Sequence, residues 1–149
     1  LTEEAALRMA GTIMMAYMAT AIVGNYALVR LANRLGPTRV IAGAGLAAAL
    51  LQGLLYLTGG VAAFTLVRML QTGMIAAVIP LVISAFAVEG SGTRLGFLNS
   101  GRFVGNALGP IMATYLLAHF NLLTLYAAIA LLTLALLAAY LAWGRQPRG

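Results

Sequence analysis

The hydrophobic positions of this chain fall into five long blocks, separated by short polar or glycine-rich interruptions. The blocks run from about Leu7 to Val29, Val40 to Leu57, Ala62 to Val88, Leu95 to Ala118 and Leu122 to Trp143. A membrane-crossing helix needs about 20 apolar residues, and each block is close to that length or longer. Thr2 can cap the first helix, and Glu3 and Glu4 suit its first turn. The first interruption is Arg30–Arg39, where Gly36-Pro37 ends one helix and Thr38 is placed to cap the next. Thr58-Gly59-Gly60 makes a tight turn, Glu89–Arg94 a polar break, and His119-Phe120-Asn121 a short turn before the fifth block, which the tail Gly144–Gly149 follows. No loop is long enough to hold a soluble domain. The pattern predicts an all-α, polytopic transmembrane helical bundle of five spanning helices.

Composition agrees with this reading and removes alternatives. Of the 149 residues, 62% are hydrophobic and 8% charged. An ordinary soluble domain is about 45–50% apolar and about 25% charged, so a soluble enzyme and a disordered chain are both excluded. There is no Cys, which excludes disulfides, thiol chemistry and Cys-based metal sites, and the single His119 disfavours a His-based one. The formal charge of +6 is better matched to lipid headgroups than to nucleic acid. All nine cations are Arg and none is Lys. With abundant Ala, Leu and Gly, this suggests a GC-rich bacterial gene and a bacterial inner membrane.

The arginines also orient the chain. Arg30, Arg34, Arg39, Arg94, Arg145 and Arg148 fall on one side of a five-span layout, and Arg8 lies near the other face. The positive-inside rule makes the six-Arg side cytoplasmic. The C-terminus is therefore expected inside and the N-terminus outside. An outside N-terminus and a first residue that is Leu rather than Met suggest further protein upstream.

Polar groups are sorted among the blocks. The second holds Gln52 among Ala, Leu and Gly, and the fifth has Thr124, Tyr126, Thr133 and Tyr140. The stronger polar groups, Asn25, Arg68, Gln71, Asn99, Arg102 and Asn106, sit in the first, third and fourth. Buried polar groups in a membrane mark interiors or cavities, so blocks one, three and four are expected to line an interior and blocks two and five to face lipid. In the fourth block Gly101, Gly105 and Gly109 recur every four residues, giving a face for close helix approach. Asn99, Arg102 and Asn106 make a second, polar face, and Pro110 removes one helix hydrogen bond. Arg102 lies about 10 Å along the helix from its inner end. It either snorkels to headgroups or points into a watery cavity, and Arg68 poses the same choice near the outer face. The first block is rich in Met, and Met14 and Tyr17 fit the wall of an adaptable apolar pocket, although Met also serves as plain filler or lipid contact.

Three segments resemble motifs of the major facilitator superfamily. Leu31-Ala-Asn33-Arg34-Leu-Gly36-Pro-Thr-Arg39 is similar to that family's G-x-L-x-D-R-x-G loop signature, in the degenerate copy between helices eight and nine. Arg68-Met-Leu-Gln71-Thr-Gly73 resembles the R-x-x-Q-G motif at its tenth-helix position. Gly101-Arg102-Phe-Val-Gly105-Asn106-Ala-Leu-Gly109-Pro110 resembles the antiporter motif at its eleventh. The order covers essentially the whole chain, and the nearest branch is the drug:proton antiporter type. The resemblance implies that the five spans are helices eight to twelve, the C-terminal part of a twelve-helix transporter built from inverted repeats.

On that basis the expected function is export of small, amphipathic or drug-like molecules by alternating access. Arg102, Asn99, Asn106, Tyr17, Met14, Arg68 and Gln71 would line the cavity. Gly101, Gly105, Gly109 and Pro110 would pack helices, and Asn33, Arg34, Gly36 and Arg39 would form the cytoplasmic gating loop. The expected partners are the bilayer, a small-molecule substrate and the N-terminal half of the same transporter, with no nucleic acid, cofactor or metal. Departures matter: the signature Asp is Asn33 and its leading Gly is Val29, so the family's gate salt bridge cannot form here, and Gly73 falls one residue late. No carboxylate lies inside a span, and Arg does not deprotonate, so a proton-coupling acid would lie upstream. A small helical scaffold without transport of its own is the alternative. An enzyme is not expected, because no paired carboxylates, His cluster or nucleophile with a base occur.

Overall fold

The computed structural model describes residues 2–87 and 92–143. Among the described residues the secondary structure is helical and no strand occurs. Helix α1 spans Glu3–Leu35. The Ala5 N–H donates to Thr2 Oγ1 at 3.4 Å, and Glu3 and Glu4 fill the first turn, as the sequence indicates. The helix stops at Gly36, whose φ of 88° is a left-handed backbone that favours glycine. Its N–H donates to the Ala32 carbonyl at 2.9 Å.

Helix α2 spans Pro37–Leu54 and begins two residues earlier than a Thr38 cap would place it. Pro37 takes the first helical position, where its missing N–H would have gone unpaired anyway. No side chain caps this end, so Thr38 lies within the first turn instead of before it. A 3-10 turn, Leu55–Leu57, finishes the span. The Thr58 hydroxyl closes it by donating to the Leu55 carbonyl at 2.7 Å.

The third hydrophobic block is two helices, α3 at Val61–Ala76 and α4 at Val78–Ala87. Pro80 explains the division. It has no N–H for the Ala76 carbonyl, and its ring clashes with that carbonyl in a straight helix. The chain turns at Ala77, which is wholly buried. By contrast α5, Gly92–His119, runs unbroken past Pro110. Helix α6 spans Leu122–Trp143. Asn121 opens it, its Oδ1 accepting from the Thr124 N–H at 2.9 Å and from the Thr124 hydroxyl at 3.0 Å.

Among the described residues, four segments are long and apolar enough to cross a membrane: Glu3–Leu35, Pro37–Leu57, Val61–Ser84 and Leu122–Ala142. Helix α5, with 28 residues, is long enough at about 42 Å. Its Asn, Arg and Gly content keeps it below the other four in hydropathy.

Packing departs from the expected division into lipid-facing and interior blocks. Helix α2 is the centre, with α1, α3, α4 and α6 all against it. Val40, Ile41, Ala44, Gly45, Ala48, Ala49 and Gln52 are buried along its length. Small side chains at the contacts let several neighbours approach at once. A Cβ on Gly45 would lie 3.3 Å from Leu137 of α6. Helix α6 uses one flank on α2 and leaves Leu131, Leu132 and Leu136 exposed. The principal core joins Ala32, Val40, Ile41, Ala77 and Leu81, with Leu28, Val29 and Tyr140 packed around it. Helix α5 has its main contacts with α4 and α6.

Candidate functional site

Helices α1 and α3 pack along each other, and they cross backbone to backbone. The contact is at Gly24 and Gly73: a Cβ on Gly24 would lie 2.6 Å from Gly73 Cα. Thr20 completes the contact, its Cγ2 3.2 Å from the Cβ position of Gly73. The Thr20 hydroxyl is turned back into α1, donating to the Ala16 carbonyl at 2.8 Å. The motif glycine Gly73 thus holds the two helices together in spite of its shifted place in the motif. Gly101, Gly105 and Gly109 have open space beside them, with nothing within 4 Å of an added Cβ.

One turn before Gly73, a polar chain ties α3 to α2. Arg68 Nη1 donates to Gln71 Oε1 at 2.6 Å. Gln71 Nε2 donates to the Gln52 side-chain oxygen and, at 3.4 Å, to the Ala48 carbonyl. Both glutamines are buried, at 3% and 4% exposure, whereas Arg68 is exposed. Gln71 therefore points inward at α2 and holds one terminal nitrogen of the exposed Arg68 guanidinium. Sequence reasoning singled out Arg68 and Gln71 but not Gln52 as their partner. The available signal was that a lone amide in an Ala- and Leu-rich span must find a hydrogen bond.

The remaining candidates are spread over three helices. Met14 is 65% exposed on α1, and Tyr17, one turn on, is half-buried. Asn99, Arg102 and Asn106 are all exposed along α5. Asn25, beside the crossing glycine, keeps a buried Oδ1 with no hydrogen-bond partner. In the turn from α1 to α2, Asn33, Arg34 and Arg39 are exposed around Gly36. Residues 88–91 and 144–149, with Glu89, Arg145 and Arg148, lie outside the described residues, as does the side chain of Arg94.

Toward its C-terminal end α5 carries a shallow apolar groove lined by Pro110, Ile111, Thr114, Tyr115, Ala118 and His119. His119 stacks on Tyr115 with ring centroids 4.3 Å apart. Its Nδ1 lies 3.0 Å from the Tyr115 carbonyl oxygen, a geometry that requires the proton on Nδ1. Among the described residues no three His, Cys, Asp or Glu side chains come together to hold a metal. The arrangement suits recognition by hydrogen bonding and apolar contact.

Comparison with curated proteins and with solved structures gave no match to either. A family model, that of the Major Facilitator Superfamily, matches residues 1–149, the whole chain. Apolar helices of spanning length and this end-to-end match make it an integral membrane protein of transporter type. The chain belongs to the Major Facilitator Superfamily.

Proposed function

We propose that the chain forms helices eight to twelve of an exporter for small amphipathic or drug-like molecules, of the drug:proton antiporter branch. It lies in a bacterial inner membrane with its N-terminus outside and its C-terminus cytoplasmic. The observation that carries this reading is the character of α5. A helix 28 residues long, in a chain otherwise packed for lipid, leaves Asn99, Arg102 and Asn106 exposed along its length. A polar stripe facing lipid would be costly, so it suits the wall of a water-filled path. The glycine face of the same helix is bare, which suits contact with an N-terminal bundle of the same transporter. In the cycle, that bundle rocks against this one around a central site. Arg102 attracts and orients polar groups of the cargo, Met14 and Tyr17 supply apolar wall, and Arg68 presents a second cation fixed by Gln71. Asn33, Arg34, Gly36 and Arg39 form the cytoplasmic gating turn. The proton-coupling carboxylate is supplied by the upstream half.

The test is Arg102→Ala in the complete reading frame, expressed in cells lacking their main exporters and loaded with a cationic dye. Dye efflux should fall roughly tenfold, the loss expected when a charge-assisted hydrogen bond is removed, with membrane insertion unchanged. Undiminished efflux at normal insertion refutes the assignment of Arg102.

A further inference from the structure

We infer that Arg30 and Arg34 form a binding site for the headgroup of an anionic phospholipid. They stand four residues apart, on one face of the last turns of α1. With Ala27 and Leu31 they line an open notch of about 280 Å³. Arg30, Leu31 and Arg34 are exposed. The ion pair found among the described residues joins Arg8 to Glu4 at the opposite end of α1.

Depth decides what such a notch meets. The apolar block of α1 opens at Leu7, and Arg30 lies about 35 Å further along the axis. The hydrocarbon core is about 30 Å thick, so the two guanidiniums stand at headgroup level while Ala27 reaches back to the edge of the acyl layer. A phospholipid has the same order of chemistry along its length: apolar chain, then phosphate. Guanidinium forks grip phosphate oxygens in pairs, and Ala27 and Leu31 offer the chain an apolar floor. An isolated phosphate could use the arginines alone. A nucleic acid or acidic protein segment would have no use for a floor at this depth.

The test uses the protein purified in mild detergent and native mass spectrometry, with phosphatidylglycerol and phosphatidylcholine titrated in turn. The wild type should retain phosphatidylglycerol in preference to phosphatidylcholine. R30Q/R34Q should weaken phosphatidylglycerol retention about 30-fold, the product of two juxtamembrane charges, and leave phosphatidylcholine unaffected. R30K/R34K should keep most of the preference, which separates lost charge from a misfolded variant, and R8Q should match the wild type. An excess of inorganic phosphate should leave the lipid bound. Equal retention of the two lipids by the wild type would overturn the inference, as would unchanged retention by R30Q/R34Q. Displacement by inorganic phosphate would overturn the lipid as the source of the anion.

Discussion

Replacing Gly24 by Ala inserts a methyl group where α1 and α3 touch through their backbones. The added carbon would sit 2.6 Å from Gly73 Cα and 2.7 Å from its carbonyl carbon. Carbon atoms pack at about 3.5–4.0 Å, so the helices must part by about 1 Å. Neither obstacle is the tip of a flexible side chain, so nothing local can swing aside. Overpacking of this kind costs about 1–3 kcal/mol, against about 0.5–1 kcal/mol gained because Ala is the better helix former. The net expectation is a loss of about 1–2 kcal/mol. Gly73→Ala should be milder, since its nearest neighbour is the Thr20 methyl at 3.2 Å. Gly11→Ala and Gly43→Ala meet open space and should be neutral or slightly stabilising. The assay is unfolding of the purified protein by a denaturing detergent titrated into a mild one, followed by far-UV circular dichroism. A Gly24→Ala protein as stable as the Gly11→Ala protein would refute the claim that backbone contact sets the α1–α3 distance.

Other substitutions probe the remaining features with the same assay. Gln71→Leu should cost about 1–3 kcal/mol, because it strands the buried Gln52 oxygen and frees Arg68. Gln52→Leu/Gln71→Leu should cost less than the sum of the two single changes, since the pair is removed together, and strict additivity would argue against a shared network. Gly36→Ala must adopt a φ near 88° and should lose about 1–2 kcal/mol, and an unchanged midpoint would show that the turn reorganises instead.

The helices and their breaks were largely legible in the sequence because each is decided locally. Thr2 before Glu3-Glu4, Gly36 before Pro37 and the His119–Asn121 turn act through capping, positive φ and missing donors within a few residues. The division of the third block was less visible. Pro80 marks it, but the break falls three residues earlier at Ala77, because a proline disturbs the carbonyl of the preceding turn. Which helix is central was not legible. A polar residue in a span signals an interior, and α2 has almost none. Its signal was the run of Ala and Gly, which allows neighbours on several sides. The glycines of α5 show the reverse. Their spacing is the more regular, yet the crossing falls at the single Gly24 and Gly73 on separate helices. Periodicity describes one helix face, whereas a crossing depends on what stands opposite it. Of the candidate site, the pairing of Arg68 with Gln71 follows from their i, i+3 spacing on one helix. The Gln52 partner, 19 residues away in sequence, depends on tertiary packing.

The interruption at Ala77 also bears on how the bundle carries motion. In an unbroken helix each turn is tied to the next by hydrogen bonds, so a tilt imposed at one membrane face is transmitted rigidly to the other. Between α3 and α4 one such tie is absent, because Pro80 has nothing to donate to Ala76. The lesion is shielded from lipid by the burial of Ala77, the setting in which irregular backbone is tolerated at membrane depth. The third span is thus two levers joined at a sealed elbow. The lever bearing Arg68 and Gly73 is clamped to α1 and α2. The other, leading toward α5, is anchored by Leu81 in the core against α2, so a change of angle at the elbow must be accompanied by repacking around Leu81.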